Sequence, residues 1–138
     1  MPCRGIRGAV VAEANTAAAV RNAARDLLEA IVAANGVRPE DVASVFFTAS
    51  PDITADYPAL AAREMGWLDT ALLCAQEIAV PNGLGRCIRV LVHWNTDKKP
   101  EEITHCYLGA AASLRPDRHG PATPSATKGA QRSVKRKR

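Results

Sequence analysis

The sequence of 138 residues predicts a single mixed α+β domain in which two helices pack against one five-stranded mixed sheet. Three observations predict it. Five short segments are rich in β-branched residues or alternate apolar with polar, the pattern of strands. One long segment carries apolar residues at helical spacing between a cap and a stop. The segments follow the order β-α-β-α-β-β-β, and no stretch repeats. Setting aside the 26 alanines leaves about 39 larger apolar residues, enough for one core and above the composition of a disordered chain.

Each element has its own signal. Residues 3–13 read as the first strand, and Gly5 and Gly8 within it suggest a bulge or a close backbone approach. Asn15-Thr16 supplies an N-cap, and a helix follows to about Asn35. Its apolar stripe is Val20, Ala24, Leu27, Leu28, Ile31 and Val32; Arg21, Arg25, Asp26 and Glu29 form its wet side. Gly36 stops it in the left-handed position. Residues 38–41 read as a turn or one helical turn. Residues 42–48 make the second strand, which Ser50-Pro51-Asp52 breaks. Tyr57-Pro58 opens a short helix to Met65, stopped by Gly66. Residues 71–76 form the third strand. Pro81, Asn82, Gly83 and Gly85 make 79–86 a loop. Residues 87–95 form a strong fourth strand with Ile88, Val90 and Val92 on one face and Arg89, Leu91 and His93 on the other. Residues 100–103 read as a turn or short helix, and 105–114 as the fifth strand.

Charge divides the chain in two. Residues 1–117 carry 11 Lys/Arg and all 14 acids, whereas residues 118–138 carry 7 Lys/Arg and no acid. The first part is the domain, with a net charge of −3; the second is a basic tail, expected to be disordered. The body's sign argues against a nucleic-acid-binding domain, and aromatic residues are too scarce, at 4%, for a base-stacking platform. Contact of the tail with nucleic acid is expected to be weak at most. No apolar run approaches the ~18–20 residues of a membrane helix, and no secretion signal is legible. Cys3, Cys74, Cys87 and Cys106 are therefore expected to be reduced thiols of a cytoplasmic protein, with no membrane partner. No Cys-x-x-Cys pair or histidine cluster calls for a metal, and no motif calls for a cofactor.

The usual catalytic devices are missing. There is no nucleophile elbow and no P-loop; Gly83-Leu-Gly85-Arg86 reads as a turn. Arginines on strands stand out instead: Arg7, Arg89 and Arg115, with Arg63 on the short helix. Arg89 lies in Cys-Ile-Arg-Val-Leu-Val, a run that otherwise reads as core, where a guanidinium is costly without a carboxylate or an anionic ligand. Glu77 ends the preceding strand. The pair is either a structural ion pair or part of an anion pocket.

At these residues the sequence resembles the monofunctional chorismate mutases of the trimeric, pseudo-α/β-barrel type, which is distinct from the all-helical type. The stretches that carry the resemblance run collinearly: Arg4-Gly-Ile-Arg-Gly-Ala9, Arg38-Pro-Glu-Asp-Val42, Thr48-Ala-Ser-Pro-Asp52, Tyr57-Pro-Ala59, Ala62-Arg-Glu64 and Gly66-Trp67, followed by Cys74-Ala-Gln-Glu77, Cys87-Ile-Arg-Val90, His105-Cys-Tyr-Leu108 and Leu114-Arg-Pro-Asp117. Each is short; their succession is specific. The resemblance implies the Claisen rearrangement of chorismate to prephenate in phenylalanine and tyrosine biosynthesis. Such a reaction needs no nucleophile, metal or proton shuttle, only a preorganised substrate and cationic groups where charge develops. The resemblance also implies a homotrimer with sites at subunit interfaces. Arg89 should reach the ether oxygen and a carboxylate, and Arg7 should bind a carboxylate. Glu77 should accept from the substrate hydroxyl, with Cys74 nearby, and Tyr107 should line the pocket. Tyr57, Arg63, Leu114 and Arg115 should close it from the neighbouring subunit or from the tail side.

Two positions depart from the family pattern: Tyr57 where phenylalanine is common, and Leu60 where a basic residue is common. The second implies weaker apparent affinity for a dianion rather than lost chemistry. A same-fold trimer with a repurposed pocket, binding a ligand or hydrolysing an imine, is the alternative.

Overall fold

The computed structural model describes residues 1–114. Its elements are β1 (Cys3–Val11), α1 (Ala17–Asn35), β2 (Val42–Ala49), α2 (Ala59–Glu64), β3 (Ala71–Gln76), β4 (Cys87–Asn95) and β5 (Cys106–Tyr107). Single 3-10 turns occupy Pro39–Asp41 and Pro100–Glu102, and a longer one spans Gly109–Leu114. The sheet order is β3-β2-β4-β1-β5. The central β4 runs antiparallel to both β1 and β2. Outside them, β3 is parallel to β2 and β5 is parallel to β1. Parallel neighbours need a crossover, which α2 supplies between β2 and β3.

Helix α1 forms where the sequence places it. The Thr16 hydroxyl accepts from the Ala19 amide, and Gly36, at φ 76°, turns the chain out of the helix. Val20, Ala23, Ala24, Leu27, Leu28 and Ile31 are buried against the sheet. From the sheet come Ile6, Val10, Val45, Phe47, Ile88, Val90, Val92 and Trp94, all buried in the same cluster. Asn35 is buried too, and fully used. Its amide donates to the carbonyls of Ile31 and Thr104 and accepts from the Thr104 amide, which ties the helix end to the approach to β5. The second helix leans on the first through buried Ala61 and Ala62 and through Arg25–Glu64 at 2.9 Å.

One register shift preserves the inside-outside pattern of β2. Val42 pairs with Trp94 and Ser44 with His93, so an extra residue is inserted between them. The bulge turns Val42 to the core together with Val45 and Phe47, where simple alternation would turn it outward.

One expectation needs correction. The fifth strand is two residues long, not ten: after Leu108 donates to Ala9, Gly109 takes φ 55° and the chain closes into the 3-10 turn. Ala110-Ala-Ala-Ser113 has no β-branched or aromatic residue to hold a strand. Arg89, in a run that otherwise reads as core, stands on the face that alternation assigns it. Alternation along β4 sends Ile88 and Val90 inward and Arg89 to the opposite, uncovered face.

Candidate active site

That opposite face carries the candidate chemistry. Ladder partners share a face, so Arg89 lies beside Ala9 on β1 and Thr48 on β2, and Arg7 lies beside Leu91. Arg7 and Arg89 are thus diagonal neighbours on adjacent strands. Tyr107 joins them across β1, opposite Ala9, in a small buried cluster with Ala9, Cys87 and Ala111. Leu114 packs against this cluster from the 3-10 turn. The Arg7 amide donates to Nδ1 of His105 at 2.9 Å, so a side chain continues the β1–β5 ladder where its main chain stops.

Beside this corner the segment between β3 and β4 arches over a cleft of about 430 Å³. Glu77 and Arg89 face each other in it, with Oε1 and Nε 3.9 Å apart. The side chains are 33% and 48% exposed. An ion pair so long and so wet contributes about 0–1 kcal/mol, so the fold does not depend on it. The walls are apolar where Ile78, Val80 and Leu84 contribute and polar at Arg89, Glu77 and Asp52.

The far end of the arch is fastened to the end of β2. The Arg86 amide donates to both carboxylate oxygens of Asp52, at 2.9 and 3.1 Å. The Ser50 hydroxyl donates to the same carboxylate at 2.5 Å and accepts from the Cys87 amide at 2.9 Å. The Arg86 guanidinium donates through Nε to the Ala12 carbonyl. Arg86 itself has φ 47°. The Ser50 hydrogen bond, helped by the Arg86 amide, holds the Asp52 carboxyl below its ordinary value. Sequence reasoning saw Ser50-Pro51-Asp52 only as a strand break; the Ser-x-Asp turn pattern was the available signal.

The remaining sequence-predicted residues lie elsewhere in the chain. Cys74 points to the core side of β3 and packs against the helical cluster. Tyr57 precedes α2 and is exposed; Arg63 is in the last turn of α2 and is also exposed. None of these three lines the cleft within one chain, and Arg7, Tyr107 and Leu114 are not among its lining residues either. Arg115 and the tail from Arg118 lie outside the described residues. Burial pushes the thiols of Cys74 and Cys87 up, and that of Cys106 up to about 12. Among the described residues no group of three or more His, Cys, Asp or Glu is placed to hold a metal ion. No described helix is long and apolar enough to cross a membrane.

Comparison with known proteins gives concordant matches. The family model described as chorismate mutase type I matches residues 3–118. The chain is 46% identical over 115 residues to chorismate mutase AroH of Thermus thermophilus, covering 83% of this chain and 94% of the relative. It is 42% identical over 118 residues to chorismate mutase AroH of Bacillus subtilis, covering 85% and 93%. Among solved structures, a chorismate mutase from Clostridium thermocellum superposes with a TM-score of 0.79 at 44% identity, covering 80% of this chain and 99% of that one.

Proposed function

This chain belongs to the chorismate mutase type I family, and from that premise we propose that the cleft between Glu77 and Arg89 carries its reaction. The protein is an isomerase that converts chorismate to prephenate in aromatic amino acid biosynthesis. The observation that supports this cleft is the facing of Glu77 and Arg89 within it, with Arg7 and Tyr107 beside Ala9 on the same uncovered face.

Arg89 is the principal catalytic residue. Its guanidinium stays charged at every relevant pH and, released from its weak pairing, donates to the ether oxygen as that bond breaks. Arg7 holds a substrate carboxylate, and Glu77 accepts from the substrate hydroxyl. Together they fix the folded conformer from which the new carbon–carbon bond forms, so an entropy cost is met at binding rather than in the transition state. No covalent intermediate and no proton transfer to a side chain is involved.

The working form is a homotrimer. Phe46 and Leu73 are 44% and 57% exposed in the single chain, on the same face as Arg89. An apolar sheet face left open in this way fits burial against a second copy. Tyr57 and Arg63, which miss the cleft of their own chain, then close the cleft of a neighbour. Leu114 and Arg115 belong to the tail side of the same closure.

The test is turnover of chorismate followed by ultraviolet absorbance, with prephenate identified as product. Arg89→Ala is expected to lower kcat by at least ~10²–10³. A loss below about tenfold would remove Arg89 from its role. A folded wild type without turnover would leave a repurposed pocket, and small dicarboxylates would be screened as ligands.

A further inference from the structure

The fastening of the arch has a role of its own. We infer that Asp52 is a positioning residue for the reaction: its carboxylate holds Arg86 in a left-handed turn and so sets where β4 begins and where Arg89 stands against Glu77. The inference rests on the reading of this cleft as the reaction site.

Three features support it independently. First, the Asp52 carboxylate is fully engaged. Oδ1 accepts from the Ser50 hydroxyl and the Arg86 amide, and Oδ2 accepts from the same amide. A carboxylate lining a cleft for a dianion would repel it, so one kept there and occupied by the Arg86 amide and the Ser50 hydroxyl serves structure rather than binding. Second, Gly85 makes room for it. A β-carbon at Gly85 would lie 3.0 Å from Oδ2 of Asp52, a tight contact that would make the carboxylate give by a few tenths of an ångström. Third, Arg86 adopts φ 47°, a conformation that non-glycine residues leave unless held. It is held from both sides, since Ala12 donates its amide to the Arg86 carbonyl and accepts from the guanidinium. Arg89 follows three residues later on the same strand. A displacement of the strand start by about 1 Å is enough to cost ~10²-fold in rate.

The experiment compares Asp52→Ala, Asp52→Asn and Gly85→Ala with the wild type. Two readouts are used: kcat and KM for chorismate, and amide hydrogen exchange across residues 85–88. Asp52→Ala is expected to lower kcat by roughly 10–10²-fold, with the larger share of the loss in kcat rather than KM. Exchange at 85–88 should accelerate while the core of β1 and β4 stays protected. Asp52→Asn retains one acceptor oxygen for the Arg86 amide and should recover to within about threefold of wild type. Gly85→Ala should reproduce the Asp52→Ala pattern with the carboxylate intact, and it decides the matter if Asp52→Ala fails to fold. Wild-type kinetics in the folded variants, unchanged exchange at 85–88, or an Asn variant no better than Ala would each overturn the inference. Absence of turnover in the wild type would instead refute the functional reading, and the exchange data would still decide whether Asp52 holds the strand start.

Discussion

Arg89 shows how one residue's setting decides its role. A guanidinium inside a core would need a partner to offset its desolvation. Here it is half in water, the Glu77 carboxylate is 3.9 Å away, and it remains available. The thiols make the opposite case. Burial raises Cys74, Cys87 and Cys106, and only Cys3 is exposed. A thiol reagent at neutral pH should therefore label Cys3 of the folded chain quickly and the buried Cys87 and Cys106 only on unfolding; fast labelling of either buried thiol would contradict the packing. Asp52 bears on pH. Its folded value is depressed below the ordinary 3.8, so the stability it contributes is present above that value and is lost as pH falls through the folded value. No other site group is asked to change protonation, and kcat should vary little from about pH 6 to 9. A bell-shaped profile with a solvent isotope effect would count against the mechanism.

At the scale of elements, β1 is where the packing leaves least room. A β-carbon on Gly8 would meet the Cys106 carbonyl and Cδ1 of Leu27, each at 2.9 Å. Strand β5 and helix α1 both approach the backbone at this one residue. Gly8→Ala is expected to destabilise the protein by ~1–3 kcal/mol, read as a shift of the denaturation midpoint. Thr16→Ala should cost about 1 kcal/mol through loss of the Ala19 cap. The cap was legible in the sequence because it is local. So were α1, β3 and β4, whose bounds agree with the periodicity. The glycine at position 8 signalled a close approach, but what approaches it was not legible. The fifth strand failed for a related reason: a strand is defined by its partner, and β1 offers pairing only as far as Ala9–Tyr107.

For the whole molecule the open sheet face matters most. Leu73→Lys places a charge on the exposed apolar face proposed to join three copies. It should shift the protein to monomers in analytical ultracentrifugation and reduce turnover with it. A monomeric wild type with full activity would contradict the trimer. The family match ends at residue 118, where the basic stretch begins. A chain ending at Asp117 is expected to keep its turnover within about twofold and to lose any salt-dependent affinity for nucleic acid.

The sequence by itself determined the family and the order of elements, and it supplied the candidate site residues, because each depends on residue types in succession along one strand or helix. The tertiary structure alone decided which of those residues meet. Arg7, Arg89 and Tyr107 come from three strands far apart in the chain and share one face through sheet register, a property of pairing rather than of any segment, and Glu77 faces Arg89 from the end of β3. The same register turned Cys74 to the core side of β3 and put Asp52 under the Arg86 amide. A fastening made of a serine, a carboxylate and two backbone amides is visible only when the ends of β2 and β4 lie side by side.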